Sequence, residues 1–122
     1  MSPDAKHFAD QWIAAWNARD LEAILSHYAD GIVFLSPIAQ RRLGNGRVEG
    51  IDALRAYWAL ALASIPDLRF TLETVLEGHN CLTILYRNQM GTQVAETVEF
   101  GANGKVVRSS ACYGESQQQS AT

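Results

Sequence analysis

The chain has 122 residues, 48% of them apolar and 19% charged, with a formal net charge of −3. That length supports one hydrophobic core and one domain, read here as residues 1–122, in the composition range of soluble globular proteins. The acidic balance gives no footprint for nucleic acid or an anionic membrane, and no apolar run approaches the roughly 20 residues that cross a bilayer.

Met1-Ser2-Pro3-Asp4 lacks the basic and apolar regions of a secretory signal. From Ala5 to Ala18 the spacing predicts an amphipathic helix. Phe8, Trp12 and Trp16 recur every four residues, with small alanines beside them. So aromatic a stripe reads first as core packing, and a pocket wall would use the same residues. Asp20 is placed to cap a second short helix, whose apolar face is Leu21, Ile24, Leu25 and Tyr28, leaving His27 on the surface. Ala29-Asp30-Gly31 is expected to end that helix, and Ile32 to Leu35 to form a buried strand stopped by Ser36-Pro37. Residues 38–50 read as a loop carrying Arg41, Arg42 and Arg47, with Asn45-Gly46 as a turn that permits a small hairpin. Those arginines are either solvated or gather an anionic ligand.

A third helix is predicted from Ile51 to Ser64, closed by Pro66, with Leu54, Tyr57, Trp58 and Leu62 on its apolar face. Everything after it reads as sheet: strands over Leu68–Leu76, Cys81–Met90, Gln93–Phe100 and Lys105–Tyr113, separated by Gly- and Asn-rich turns. Helices first and then an antiparallel meander means an α+β fold, in which the helices cover one face of the sheet. In the third of these strands Val94, Glu96, Val98 and Phe100 share a face. A carboxylate amid that apolar set is either a satisfied polar group or the chemical centre of a pocket. Cys81 and Cys112 offer no metal spacing or disulfide framework and read as buried or half-buried thiols of a reducing cytoplasm, the expected location. The core is expected over about residues 5–114, and the polar tail 115–122 is expected to be disordered.

The residues Trp12 to Ile24, Tyr28-Ala29-Asp30, Gly50 to Trp58 and Phe100 to Val107 together resemble the nuclear transport factor 2-like superfamily. The likeness is greatest to its ketosteroid isomerase and SnoaL-like polyketide cyclase branches. The resemblance implies a cone: a curved, mostly antiparallel sheet wrapped over N-terminal helices, with a pocket between. It also implies positions for isomerase chemistry. The general-base aspartate falls at Ser36, the oxyanion-site tyrosine at Trp12 and the oxyanion-site acid at Glu96. A serine without an activating base is a poor proton acceptor, so steroid isomerisation is not expected. The cyclase branch implies a histidine and an aspartate on the sheet, where this chain has only His79, in a turn. The Asp-Arg-Asp group of related epoxide hydrolases has no counterpart, because no aspartate follows Leu68.

Alternation puts Val107, Ser109, Ala111 and Tyr113 on one side of the last strand; the resemblance implies that this side faces inward beside Glu96, with Arg108, Ser110 and Cys112 outward. An even-length turn at Gly91 brings Arg87 to the Glu96 face, and an odd one brings Tyr86 and Asn88. The second keeps the more apolar set together and is favoured. The expected pocket is then Trp12, Trp16, Tyr28, Ser36, Tyr57, Trp58, Tyr86, Asn88, Ser109 and Tyr113 around Glu96 as the candidate acid or base. It suits a small, flat, mostly apolar or aromatic molecule. No cofactor and no metal is expected. The functional expectation is a SnoaL-like or ketosteroid isomerase-like protein of unassigned activity. The alternative is a non-catalytic binding or dimeric assembly module. A homodimer through the outer sheet face is expected in either case.

Overall fold

The aromatic stripe of the first helix packs on a six-stranded sheet. The computed structural model describes residues 3–115, so the tail from residue 116 lies outside the described residues. In chain order the elements are α1 (Pro3–Asn17), α2 (Leu21–Leu25), β1 (Tyr28–Leu35), α3 (Pro37–Leu43), β2 (Arg47–Glu49), α4 (Ile51–Ser64), β3 (Thr71–Gly78), β4 (Cys81–Arg87), β5 (Gln93–Phe100) and β6 (Val106–Tyr113). The strand order is β2-β1-β6-β5-β4-β3. Neighbours are antiparallel except β1 and β6, which run parallel. This is the α+β architecture expected from the order of helical and alternating segments. Register shifts at Leu72/Thr74, Glu99/Phe100 and Tyr28/Val33 bend and twist the open sheet so that it can wrap the helices.

Local chemistry sets the helix ends. Asp20 caps α2, its carboxylate accepting from the Ala23 N–H at 3.1 Å. Arg19 turns the corner between α1 and α2 at φ 58° and donates to the Leu62 and Ile65 carbonyls at the C-terminal end of α4, where a cation suits the helix dipole. Asn17 closes α1 by mimicking a strand: its amide donates to Phe70 O at 2.9 Å and accepts from Phe70 N at 2.7 Å. That pair of hydrogen bonds fixes Phe70 against Trp12, with ring centroids 5.9 Å apart and nearly parallel.

Four local expectations are corrected. Tyr28 does not extend the face of α2 and Ala29-Asp30-Gly31 does not merely end it, because all four residues belong to β1, beside β6. His27 is half-buried rather than superficial, its ring 4.9 Å from that of Phe8, and burial holds its pKa below the usual value. The arginine-rich stretch is a helix, α3. Ser36 caps it, accepting from Ile38 N and Ala39 N at 3.1 and 3.3 Å, Pro37 opens it, and Gly44 at φ 78° closes it. The β5–β6 irregularity turns Val107 outward, where it is 40% exposed, and buries Val106 in its place.

Candidate functional site

Glu96 sits at the middle of β5, opposite Ile84 on β4 and Ala111 on β6. It is 3% exposed, the one buried acid among the described residues. Ser109 Oγ on the neighbouring strand donates to its Oε2 at 2.7 Å. Burial raises the Glu96 pKa from its ordinary value near 4.5 to about 7, and the Ser109 hydrogen bond opposes only part of that rise. Tyr28, Tyr86 and Tyr113 are pushed upward, first by burial and then by the Glu96 charge. Near neutrality the acid is thus divided between a neutral donor and a charged acceptor.

Glu96 lines a cavity between the sheet and the helices, of about 100 Å³ against the roughly 10–15 Å³ that one water requires. Its walls are Trp12 and Trp16 from α1, Tyr57 and Trp58 from α4, Phe34 from β1, Phe70 ahead of β3, and Tyr86 and Val94 from the sheet. The rings brace one another: Trp16 meets Trp58 edge-on at 5.0 Å, and Phe70 lies 4.4 Å from Tyr86. Arg41 and Arg42, in the last turn of α3 where cations complement the dipole, bring positive charge to the rim. Burial is the main force raising the Tyr57 pKa, and the Arg42 charge partly offsets it.

Four polar atoms of residues that line this cavity are themselves closed off from it and have no hydrogen-bond partner among the described residues: Trp16 Nε1, Arg42 Nε, Gln89 Oε1 and Thr92 Oγ1. Each such group costs about 1–3 kcal/mol when left unpaired. Among the described residues no cluster of His, Cys, Asp or Glu could hold a metal ion.

Residues 9–112 match the model of the SnoaL-like domain. The chain belongs to this family. A crystal structure of a SnoaL-like protein of unknown function from Burkholderia thailandensis E264 superposes with a TM-score of 0.91 at 41% identity, covering 94% of this chain and 98% of that one. A putative isomerase of the SnoaL-like family from Agrobacterium tumefaciens C58 has a TM-score of 0.75 at 19% identity, over 93% of this chain and 100% of that one. An NTF2-like protein of unknown function from Burkholderia pseudomallei K96243 has a TM-score of 0.75 at 18% identity, over 93% and 92%. The last two show the shared fold alone. Among curated proteins none matches the chain.

In this SnoaL-like domain Trp12, Trp16, Ser36, Tyr57, Trp58, Tyr86, Asn88 and Tyr113 meet around Glu96 on the cavity. Tyr28 and Ser109, expected in the lining, stand behind it. Tyr28 is buried under Trp12 and accepts its indole N–H at 3.0 Å, while Ser109 is 1% exposed and backs the carboxylate. Ser36 touches the cavity, but its hydroxyl is engaged in capping α3. The β4–β5 loop is odd in length, five residues between Arg87 and Gln93, so Tyr86 faces inward. Arg87 faces outward and pairs with Glu73 at 3.0 Å. Gln89 and Thr92, which sequence reasoning missed, reach the cavity because Asn88 Oδ1 folds that loop by accepting from Met90 N and Thr92 N. The Asn88–Gly91 pattern was the available signal for that turn.

Proposed function

We propose that this protein binds a small, flat, mostly apolar organic molecule between its sheet and its aromatic helix stripe. Glu96 is the group that exchanges a proton or a hydrogen bond with it. The observation that carries this reading is the buried Glu96 carboxyl facing the cavity, with its pKa raised to about 7 and one hydroxyl in support. Neutral, it donates to a carbonyl or enol oxygen; charged, it accepts a proton from carbon or oxygen. Residue-specific carbon NMR is the test. A Glu96 pKa near 7 is expected, and one near 4.3, the reference value for Glu, would rule the reading out. A crystal structure of the protein as purified, with an organic molecule carried over against Glu96, would support it further.

A second reading, binding without turnover, is favoured by one observation: Ser36 occupies the general-base position implied by the resemblance and is consumed as a helix cap. Substrate turnover by wild type, abolished by Glu96→Gln, would exclude it. For the partner we propose a second copy of the chain on the outer sheet face, where Thr83, Leu85, Ala95, Thr97 and Cys112 form a small-residue surface. Charged pairs bound it: Arg108–Glu99 at one side and Arg87–Glu73 at the other. Among the described residues no helix is long and apolar enough to cross a membrane. A cytoplasmic location is proposed from the free thiols of Cys81, which is half-buried, and Cys112, which is exposed rather than half-buried as expected.

A further inference from the structure

The arginines of α3 line the same cavity as Glu96 but have no role in supporting that acid. Arg42 is half-buried and forms no ion pair among the described residues, and its Nε–H, closed off from the cavity, points to no acceptor. With no carboxylate paired to it, its guanidinium can grip a ligand carboxylate through its two Nη groups with two parallel hydrogen bonds. Such a cation answers a ligand anion rather than a ligand N–H or an alkyl tip. Arg41 adds a second cation at the same rim. Among the described lining residues Glu96 is the one acid, and Ser109 holds it back on the sheet.

We infer that the molecule bound here is an organic carboxylate with a flat apolar body. Its carboxylate is held by Arg42, with Arg41 beside it, and its body lies on the aromatic wall beside Glu96. Arg42 is then the specificity-determining residue. It selects anionic ligands and turns the uncharged part of the molecule toward Glu96. This rests on the cavity being a small-molecule site, as proposed above, and names the class of molecule.

The test uses matched probes, benzoate and benzamide, titrated into the intact protein by calorimetry and by tryptophan fluorescence. The two have nearly one shape and differ in charge. Benzoate is expected to bind at least about tenfold tighter than benzamide, as a desolvated two-point contact to a guanidinium implies. Arg42→Gln should remove that preference while leaving benzamide affinity within about threefold. Arg42→Lys keeps the charge and loses the fork, so its preference should fall between the two. It serves as the second variant should circular dichroism show Arg42→Gln misfolded. Equal binding of the two probes by wild type, or a preference that survives Arg42→Gln, overturns the anion subsite and leaves the cavity reading standing. Failure of both probes to bind at about 10 mM, a binding free energy weaker than roughly −3 kcal/mol, overturns the cavity reading and this inference together.

Discussion

Ser109 Oγ on β6 donates to Glu96 Oε2 on β5 across 2.7 Å. Among the described residues it is the one hydrogen bond given to the buried carboxylate. Register explains the contact: Glu96 lies opposite Ala111, so Ser109 is its diagonal neighbour on the same face. The hydroxyl favours the charged form while burial favours the neutral one, and burial prevails. Replacing Ser109 by Ala should therefore raise the Glu96 pKa further, by about one unit if the hydrogen bond contributes the usual 1–1.5 kcal/mol. Carbon NMR of Glu96 in the variant checks this, and an unchanged or lowered value would contradict the arrangement.

The contribution of Glu96 to stability should fall as pH rises through the acid range and then level off. In the unfolded chain Glu96 loses its proton near its ordinary value of 4.5, and in the folded protein near 7. Below 4.5 both states are protonated and the acid carries no penalty. Between 4.5 and 7 only the unfolded state ionises, so folding loses about 3 kcal/mol, a cost complete above 7. Facing the carboxyl or its cavity are Ser109 and Tyr113 of β6, Tyr86 of β4, Tyr28 of β1, Tyr57 of α4, and Arg41 and Arg42 of α3. The tyrosines stay neutral through this window, because their pKa values are all raised. Urea unfolding of wild type and Glu96→Gln at stepped pH isolates the effect. The wild-type deficit relative to the variant should appear between pH 4.5 and 7 and stay constant above.

Ser36→Ala should act on α3 rather than on chemistry. The hydroxyl satisfies the Ile38 and Ala39 amides at the start of the helix that carries Arg41 and Arg42. Its loss should cost about 0.5–2 kcal/mol of stability. Faster hydrogen exchange should be confined to those first amides. Ser36→Asp, which restores the cap, should recover both, whereas recovery of neither would mean the cap is not what Ser36 supplies.

On the outer face of the sheet Thr83 Oγ1 and Thr97 Oγ1 lie 2.8 Å apart, with Leu76 56% exposed beside them. If a second copy covers this surface, sedimentation at micromolar concentration should show a species near twice 13.4 kDa. An interface of the usual size buries about 1,600 Å² in total, enough for an inserted charge to split it. Thr97→Arg should give monomers, and Glu96→Gln, on the opposite face, should leave the assembly intact. A clean monomer for wild type would end the proposal.

The sequence by itself determined which side of β5 each residue takes. A strand alternates with period two, so Val94, Glu96 and Val98 had to share a face whatever surrounded them. The same reasoning with period 3.6 placed Trp12 and Trp16 on one side of α1, and Asp20 announced its cap. The order of helices and alternating segments determined the α+β class. Only the tertiary structure decided the rest. The parity of the β4–β5 loop, which chooses Tyr86 over Arg87 for the cavity, depends on Asn88 bonding two amides of its own loop. The α3 helix, read as a solvated loop, is only seven residues long, too short to show a period. It is held by its cap and by Gln40 accepting from Gly46 N at 2.8 Å, across the turn. Its arginines reach the cavity because Ser36 N also bonds Gly46 O at 2.9 Å, folding the segment back over β1. Whether Tyr28 and Ser109 line the cavity or back it was likewise beyond alternation. A face has depth, and depth is set by what packs in front: Trp12 covers Tyr28, and Glu96 stands before Ser109.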